Sequence, residues 1–358
     1  MIRYDGPDNK TALQAKFDAQ KIAFGPIVFQ AAKALCDLGI LECVRKYKDN
    51  GVTAAVIAEK LELSVYGVKV LLEVGLSSEI VRLVDDKYIL TKTGYYLLKD
   101  EMTQVNMDFV NDVCYEGMQH LQTAIREQSP AGLATFGAEW ETIYAALSSL
   151  PPKVQKSWFA FDHFYSDIAF PEVLPIVFRH NPKRIIDVGG NTGKWAIKCV
   201  NYNETVVVTI MDLPGQLEKA HANVVGHQAQ QRIELHPINI LAENCEFPQG
   251  ADAIWMSQFL DCFSEEQITQ ILSRAAMAMS QVTTLYILET FWDRQRFAAA
   301  AFSLHNTSLY FTCLANGNSK MYHSEEMKGC VENAGLIIVG QTDGIGMGHT
   351  LLECKKRQ

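Results

Sequence analysis

The feature that most constrains this chain is an acidic residue followed by a glycine-rich turn, in the segment Asp187-Val188-Gly189-Gly190-Asn191-Thr192-Gly193. Glycine has no Cβ and tolerates positive φ, so such a turn lets the backbone approach a ligand closely. Candidate strands alternate with candidate helices from residue 181 onward, which predicts a mostly parallel sheet covered on both faces. Ligands of such sheets bind at the carboxyl ends of the strands. The turn therefore lies where a ligand site is expected.

Polar residues follow each of the first five candidate strands. The strands are residues 185–188, 206–211, 233–238, 253–256 and 285–288, and two later apolar runs, 336–339 and 350–354, can complete the sheet. The first strand ends in Asp187 and the glycine-rich turn, and the polar residues at the ends of the other four are Asp212, Asn239, Ser257 with Asp261 nearby, and Glu289. A single polar residue at a strand end means little, but five in register predict a site at one edge of the sheet.

The spacing of the turn favours S-adenosylmethionine over a nicotinamide cofactor. Asp212, at the end of the second strand, can accept hydrogen bonds from ribose hydroxyls, which predicts a ribose-bearing cofactor. A dinucleotide fingerprint starting at Gly189 needs glycines where Asn191 and Lys194 stand, and it fails at both. The methionine part of S-adenosylmethionine carries an ammonium group, and the acidic Asp187 suits that cation better than a pyrophosphate.

The chain is long enough for two domains, with 358 residues, and its first 102 residues are predicted to form a winged-helix-like dimerisation domain. Three short candidate helices precede two short strands around Asp85-Asp86, and Thr53 is a candidate N-cap. DNA binding through the third helix is disfavoured, because Lys69 is its only basic residue. We predict connecting helices over residues 103–170 and the cofactor-binding domain over 171–358. The aromatic residues of the connecting segment either cover an apolar substrate pocket or fill a core between helices.

Composition narrows the partners and the location. The net charge of −9 disfavours a nucleic-acid partner, since affinity for phosphates comes largely from Lys and Arg. No apolar run reaches the roughly 20 residues of a membrane-spanning helix, and the first residues do not resemble a secretory signal, so we expect a cytoplasmic protein. The nine cysteines form no Cys-x-x-Cys pair and no Cys/His cluster with metal-ligand spacing. We therefore expect reduced thiols and no metal.

These motifs resemble those of the plant and bacterial small-molecule O-methyltransferases related to caffeic acid and hydroxyneurosporene methyltransferases. The segment 186–193 resembles the Asp-Val-Gly-Gly-Gly-x-Gly cofactor motif of that family, and Met211-Asp212-Leu213-Pro214 resembles its following Asp-Leu-Pro. The resemblance covers nearly the whole chain. It implies an α/β, Rossmann-like class I methyltransferase domain behind an α-helical winged-helix domain that forms a homodimer, and methyl transfer from S-adenosylmethionine to a small hydroxylated aromatic, quinonoid or other acidic acceptor.

The resemblance also implies the residues that hold the cofactor. They are Asp187, Gly189, Gly190, Gly193, Asp212, Leu213, Asn239, Ile240 and Ser257. Asn191 replaces the third glycine of the motif, and Asn tolerates the left-handed conformation that this position needs. Asn239 stands where the family has an aspartate that contacts the adenine amine, and the amide oxygen of Asn239 can accept the same hydrogen bond.

The catalytic segment departs from the family. Asp261 falls where the family has its catalytic histidine or the adjoining aspartate, Glu289 matches a glutamate that flanks the histidine, and Met321 takes the place of a second glutamate. Asp261 and Glu289 are our candidate catalytic residues. Phe161-Asp162-His163-Phe164 corresponds to the family's Phe-Asn-x-Ala helix over the pocket. An ordinary Asp, with a pKa near 3.9, accepts a phenolic proton poorly unless burial or Glu289 raises its pKa.

Several interpretations of the missing histidine remain open. The acceptor can be acidic enough to ionise unaided, or His163, His305 or His323 can supply a base from another element. A different class of function is a relative that binds S-adenosylmethionine in a binding or regulatory role without transferring methyl. A winged-helix regulator is a further alternative. The identity of the acceptor lies beyond the sequence.

Overall fold

The computed structural model describes residues 4–137 and 140–357. These residues form two compact units, one of residues 5–111 and the other of Tyr4 with the described residues after 111. The predicted division into a dimerisation domain (1–102), connecting helices (103–170) and a cofactor-binding domain (171–358) assigns a role to each segment, and it stays a prediction.

The N-terminal unit consists of helices around one β-hairpin. The elements are α1 (Ala12–Ala23), α2 (Gly25–Asp37), α3 (Ile40–Lys46), α4 (Ala54–Leu61), α5 (Val65–Ser77), β1 (Val81–Val84), β2 (Lys87–Leu90), α6 (Lys92–Lys99) and α7 (Glu101–Phe109). The predicted cap is present, because the Thr53 side chain accepts a hydrogen bond from the Val56 amide at the start of α4. Asp85 and Asp86, both at positive φ, close the antiparallel hairpin. The unit is held by fully buried side chains such as Leu35 and Leu72.

The second unit begins with helices and continues as alternating strands and helices. The leading helices are α8 (Leu121–Glu127), α9 (Ile143–Ala146), α10 (Pro152–Asp167) and α11 (Phe170–Val177). The remaining elements are β3 (Arg184–Val188), α12 (Lys194–Tyr202), β4 (Val207–Asp212), α13 (Pro214–Val224), β5 (Ile233–Pro237), β6 (Ala253–Ser257), α14 (Glu265–Ala278), β7 (Thr284–Glu289), α15 (Ala298–Tyr310), α16 (Ser324–Asn333), β8 (Leu336–Ile345) and β9 (His349–Lys356).

The seven strands of the second unit form one sheet in the order β5-β4-β3-β6-β7-β9-β8. Strands β3 to β7 run parallel, whereas β9 is antiparallel to both of its neighbours. Val188 pairs with Met211 on one side and Met256 on the other, so the carboxyl ends of β3, β4 and β6 lie side by side. The predicted α/β, Rossmann-like fold behind a helical N-terminal domain is confirmed.

The predicted extent of β8 was wrong. The apolar run 336–339 covers only its first part, and the strand continues to Ile345 through the polar residues Gln341, Thr342 and Asp343. These residues pair with β9 at the outer edge of the sheet, where their side chains are largely exposed. A search for apolar runs misses an edge strand of this kind, because one face of it meets water.

Apolar side chains cover both faces of the sheet. One cluster contains Ile186, Met256 and Ile271, and the cluster on the other face contains Ile185, Trp255 and Val208. The central strands are therefore buried on both sides, as expected for parallel strands. Among the helices of residues 4–137 and 140–357, none is both long and apolar enough to cross a membrane.

Candidate active site

The glycine-rich turn lies at the carboxyl end of β3 and leads into α12. Gly189 and Gly193 have φ of +69° and +78°, and Asn191 takes a left-handed φ of +49°. The Gly189 amide donates to the Met211 carbonyl oxygen at 2.8 Å, which ties the turn to β4. The expectation that Asn191 tolerates the conformation of the missing glycine is confirmed by its backbone.

Gly190 sits against the predicted cofactor carboxylate. A Cβ at this position would lie 2.6 Å from Oδ2 of Asp187 and 2.8 Å from Cγ2 of Ile210. Both atoms belong to buried side chains in the strands below, so neither can move away cheaply. The absence of a side chain is what brings the backbone of the turn down onto the strand ends.

We expect Gly190→Ala to weaken binding of S-adenosylmethionine at least about tenfold, because the turn must shift away from Asp187. Isothermal titration calorimetry measures the affinity. Gly215→Ala is the matched control, since a Cβ there meets nothing within 4 Å. Equal affinities for the two variants would contradict this account of the turn.

A cavity opens above the turn, and buried polar atoms without partners gather around it. Its lining includes Asp187, Gly189, Gly190 and Ser257 of the predicted cofactor residues. Five side-chain atoms on lining residues are buried and find no hydrogen-bond partner among residues 4–137 and 140–357. They are Asp187 Oδ2, Asn191 Oδ1, Thr192 Oγ1, Trp195 Nε1 and Ser257 Oγ. Buried polar groups are normally paired, so this concentration indicates a polar ligand.

Asp187 is the most deeply buried acid of the cavity, at 2% exposed. Its burial and, secondarily, the charge of Asp212 raise the pKa of Asp187 to about 8. A carboxyl group in this state is poised to gain from a cationic ligand, because a cation would compensate the cost of the buried charge. An ammonium group satisfies that requirement.

Asp212 accepts two backbone amides at the glycine-rich turn. Its Oδ2 accepts the Asn191 amide at 2.8 Å and its Oδ1 accepts the Leu213 amide at 2.7 Å. The carboxylate therefore braces the glycine-rich turn. Each oxygen retains a further lone pair with which to accept a ribose hydroxyl.

The other predicted cofactor residues are spread along the same edge of the sheet. Gly193 is the N-cap of α12, and Leu213 precedes α13. Asn239 is exposed after β5, and its Oδ1 accepts the Leu241 amide. The Ile240 side chain packs into the hydrophobic core. The structure thus brings Asp187, Gly189, Gly190 and Ser257 together at the cavity and places the remainder at neighbouring strand ends.

Asp261 and Glu289 lie beside each other after β6 and at the end of β7. Oε1 of Glu289 accepts the amides of Phe259 and Leu260 at 3.0 and 2.8 Å, so it holds the short turn that carries Asp261. Burial and then the charge of Asp261 raise the pKa of Glu289 well above its usual range. Burial raises the pKa of Asp261 to about 6, against a hydrogen bond from Cys262. The pKa increase that would make Asp261 a better base is therefore present.

The three candidate histidines have different surroundings. His163 lines the cavity, and burial and Lys194 lower its pKa. His323 caps α16, where its Nδ1 accepts the Glu325 amide at 3.0 Å. His305 packs its ring against Trp292 with a centroid separation of 4.8 Å. His163 is thus the one of these three that meets the cavity.

Sequence reasoning missed several residues of the cavity wall, among them Asp162, Lys194 and Gln258. Asp162 belongs to the segment Phe161-Asp162-His163-Phe164 that resembles a family motif. Its spacing of four residues from Ser166 places both side chains on one face of a helix, which was a usable signal. Gln258 carried no such signal. It has a φ of +45°, and its Oε1 lies 3.0 Å from Nε2 of the fully buried His349.

The cavity fits S-adenosylmethionine. The buried carboxyl group of Asp187 suits an ammonium group, and the unpartnered atoms of Asn191 and Ser257 suit the polar atoms of this molecule. Within the described residues, no cluster of His, Cys, Asp or Glu has the geometry of a metal site. All nine cysteines are free thiols.

Two family models match the chain. The O-methyltransferase domain model matches residues 118–336, more than half of the chain, and the Dimerisation2-like domain model matches residues 16–88. The L-tyrosine C(3)-methyltransferase of Streptomyces lavendulae is 22% identical over 84% of this chain and 81% of its own.

Solved structures share the fold. The apo form of the S-adenosylmethionine-dependent methyltransferase SibL superposes with a TM-score of 0.71 at 22% identity, covering 95% of this chain and 99% of its own. The mitomycin 7-O-methyltransferase MmcR gives a TM-score of 0.70 at 17% identity, covering 96% and 98%.

Proposed function

The chain belongs to the O-methyltransferase family, and from that membership we propose that it methylates a small hydroxylated aromatic, quinonoid or other acidic acceptor at a site formed by α10 and the ends of β3, β6 and β7. The protein is an S-adenosylmethionine-dependent O-methyltransferase. Neither the family nor the relatives support the alternative of a relative that binds the cofactor without methylating.

The observation that carries the proposal is the set of five orphaned buried polar atoms around one cavity. We assign the cofactor ammonium to Asp187, the ribose hydroxyls to Asp212, and polar atoms of the methionine part to Ser257 and the turn at Gly189 and Gly190. Leu213, Asn239 and the backbone of Ile240 would hold the adenine, since the Ile240 side chain is buried in the core, and Gly193 would let α12 start close to the ligand. When bound, the cofactor supplies an electrophilic methyl group on a sulfonium.

The chain's own residues position the acceptor and take up its proton. Methyl transfer is an in-line displacement, so orientation of the attacking oxygen supplies a large part of the rate. Asp261 contributes negative charge on the acceptor side, and Glu289 fixes the turn on which Asp261 sits. This charge draws the hydroxyl proton away from the oxygen as the oxygen attacks.

The assembly and the location belong to the same proposal. The Dimerisation2-like match over residues 16–88 supports a homodimer formed through the N-terminal unit. The net charge of −9 supports a small-molecule partner rather than nucleic acid. The nine free thiols support a cytoplasmic location, since disulfides are rare in the reducing cytosol.

The proposal is tested by methyl transfer from labelled S-adenosylmethionine to a panel of catechol, caffeic acid, 4-nitrocatechol, 1,4-dihydroxynaphthalene and L-tyrosine. The position of the new methyl group is assigned by NMR of the product. Methylation on oxygen of at least one phenol supports the proposal, and methyl transfer to ring carbon alone would replace it with a carbon methyltransferase.

We expect Asp261→Asn to lower kcat by about tenfold to a hundredfold for weakly acidic phenols, and less for 4-nitrocatechol, because an ionised acceptor needs no base. Affinity for the cofactor, measured by calorimetry, stays unchanged. Glu266→Gln, an exposed residue at the start of α14, is the control for loss of charge. An equal loss for acidic and weakly acidic acceptors would show that Asp261 has no part in proton transfer.

A further inference from the structure

Three departures from the family pattern come together in the structure. Asp162 stands where the family has an asparagine, Asn191 where it has a glycine, and Asp261 where it has its catalytic histidine or the adjoining aspartate. In the fold, Nδ2 of Asn191 donates to Oδ2 of Asp162 at 3.1 Å, and the negative charge of Asp261 acts on Asp162. Residues separated by up to 99 positions thus form one arrangement.

Asp162 occupies a position from which it can meet the acceptor. It lies on α10, its side chain is 27% exposed, and it lines the same cavity as Asp187 and Ser257. The hydrogen bond from Asn191 fixes its carboxylate. Asn191 is itself fixed, because its backbone amide donates to Asp212.

The geometry points to Asp162 as the group that takes the proton from the acceptor hydroxyl, with Asn191 as its positioning residue and Asp261 as the charge that favours proton uptake. This inference rests on the proposed function and names the proton acceptor at that site. In the family pattern the base follows β6, whereas here it has moved to α10.

The step balances without any further reactant. The acceptor oxygen forms a bond to the methyl carbon, and the carbon–sulfur bond breaks with its electron pair remaining on sulfur. The O–H proton passes to a carboxylate oxygen of Asp162. Asp162 is then a neutral carboxylic acid until the proton is released to solvent. Nothing is oxidised or reduced.

The electrostatic surroundings of Asp162 support this role. Burial, then Asp261 and Asp167, raise its pKa to about 7, while Lys194 and the hydrogen bond from Asn191 act in the opposite direction. Nδ1 of His163 is 3.8 Å from its Oδ2, and Tyr310 also faces it. A base whose pKa lies near the working pH is the most effective proton acceptor. The positive charge of the bound sulfonium favours the ionised form of Asp162. The acidic limb of the pH–rate profile, which Asp162 sets, is therefore expected at or somewhat below pH 7.

The test uses the full-length enzyme saturated with S-adenosylmethionine and follows kcat/KM against pH for catechol, a weakly acidic phenol that needs a base. We expect Asp162→Asn to lower the rate at least about a hundredfold and to remove the acidic limb. Asn191→Gly should move that limb to higher pH, since a hydrogen bond to the carboxylate is lost. Asp261→Asn should move it to lower pH, since a neighbouring negative charge is lost. Asp252→Asn is the control for loss of a carboxylate and should leave the limb in place, because Asp252 accepts the Lys183 and Arg184 amides away from the cavity.

A second measurement separates this inference from the proposed function. Bound to the enzyme with S-adenosylhomocysteine, 4-nitrocatechol should show the absorbance of its phenolate at a higher pH with wild type than with Asp162→Asn, because the ionised carboxylate of Asp162 opposes a second negative charge beside it. Wild type that shows this difference from Asp162→Asn but transfers no methyl would support the contact between Asp162 and the acceptor hydroxyl and overturn the proposed function. Wild type that transfers methyl, with the limb retained in Asp162→Asn, would overturn Asp162 as the proton acceptor and leave the proposed function standing.

Discussion

Asp187→Asn is expected to lower the affinity for S-adenosylmethionine about a hundredfold and to raise the melting temperature of the cofactor-free protein by several degrees. The loss of affinity follows from replacing a buried charge-assisted hydrogen bond to the ammonium by a neutral one, a difference of about 2–3 kcal/mol. The gain in stability follows because the buried carboxylate, 2% exposed and with an unpartnered Oδ2, costs free energy when it is ionised.

The pH dependence has a definite sign. The pKa of Asp187 is raised to about 8 in the folded protein, above the roughly 3.9 of an unfolded chain. Between these values the folded state binds more protons, so its stability falls as pH rises from about 4 to 8. The variant should therefore gain most at pH 8 and least at pH 5. Cofactor affinity of wild type should rise over the upper part of the same range, because binding requires the ionised form.

Calorimetry in two buffers of different ionisation enthalpy measures affinity and proton release together, and thermal unfolding measures stability. Asp252→Asn is the matched control. Asp252 accepts the amides of Lys183 and Arg184 near the opposite ends of the strands, away from the cavity. If cofactor affinity falls equally in both variants, Asp187 does not bind the ammonium.

The parts of the fold that follow from local patterns could be predicted from the sequence. β3 and its turn were clear because an apolar strand and three glycines are adjacent in the chain, and Thr53 was a clear cap because it acts on an amide three residues away. The same holds for the five polar residues at strand ends, because parallel strands place their carboxyl ends at one edge.

The contacts that define the acceptor side could not be predicted, since they join distant parts of the chain. The hydrogen bond between Asn191 and Asp162 spans 29 positions, and the one from Leu260 to Glu289 spans another 29. The sequence marked Asn191 and Asp162 as departures from the family motif and Glu289 as a candidate catalytic residue. Their hydrogen-bond partners, however, depend on how α10 and the strand ends come together in the fold. The sequence therefore predicted the glycine-rich turn after β3, but it assigned Glu289 a catalytic role without revealing that Glu289 accepts the amides of the turn that carries Asp261.

Glu289→Ala is expected to destabilise the second unit by about 3–5 kcal/mol and to abolish most of the activity. The substitution leaves the buried amides of Phe259 and Leu260 without their acceptor, at roughly 1–3 kcal/mol each, and it opens a cavity beside β7. Glu289→Gln should lie within about 1 kcal/mol of wild type, because its amide oxygen can accept the same two hydrogen bonds.

Urea unfolding followed by tryptophan fluorescence measures this effect on the second unit alone, since the five tryptophans, at positions 140, 158, 195, 255 and 292, all follow residue 111. Turnover of the same variants separates two roles for Glu289. A residue that only anchors the turn tolerates glutamine with kcat within a few fold of wild type, because Asp261 stays in place. A residue that exchanges protons does not tolerate glutamine. Glu289→Gln with wild-type stability and a hundredfold lower kcat would therefore show that Glu289 takes part in proton transfer. Burial raises the pKa of Glu289 well above its usual range, and its Oε1 already accepts two backbone amides, which favours the anchoring role.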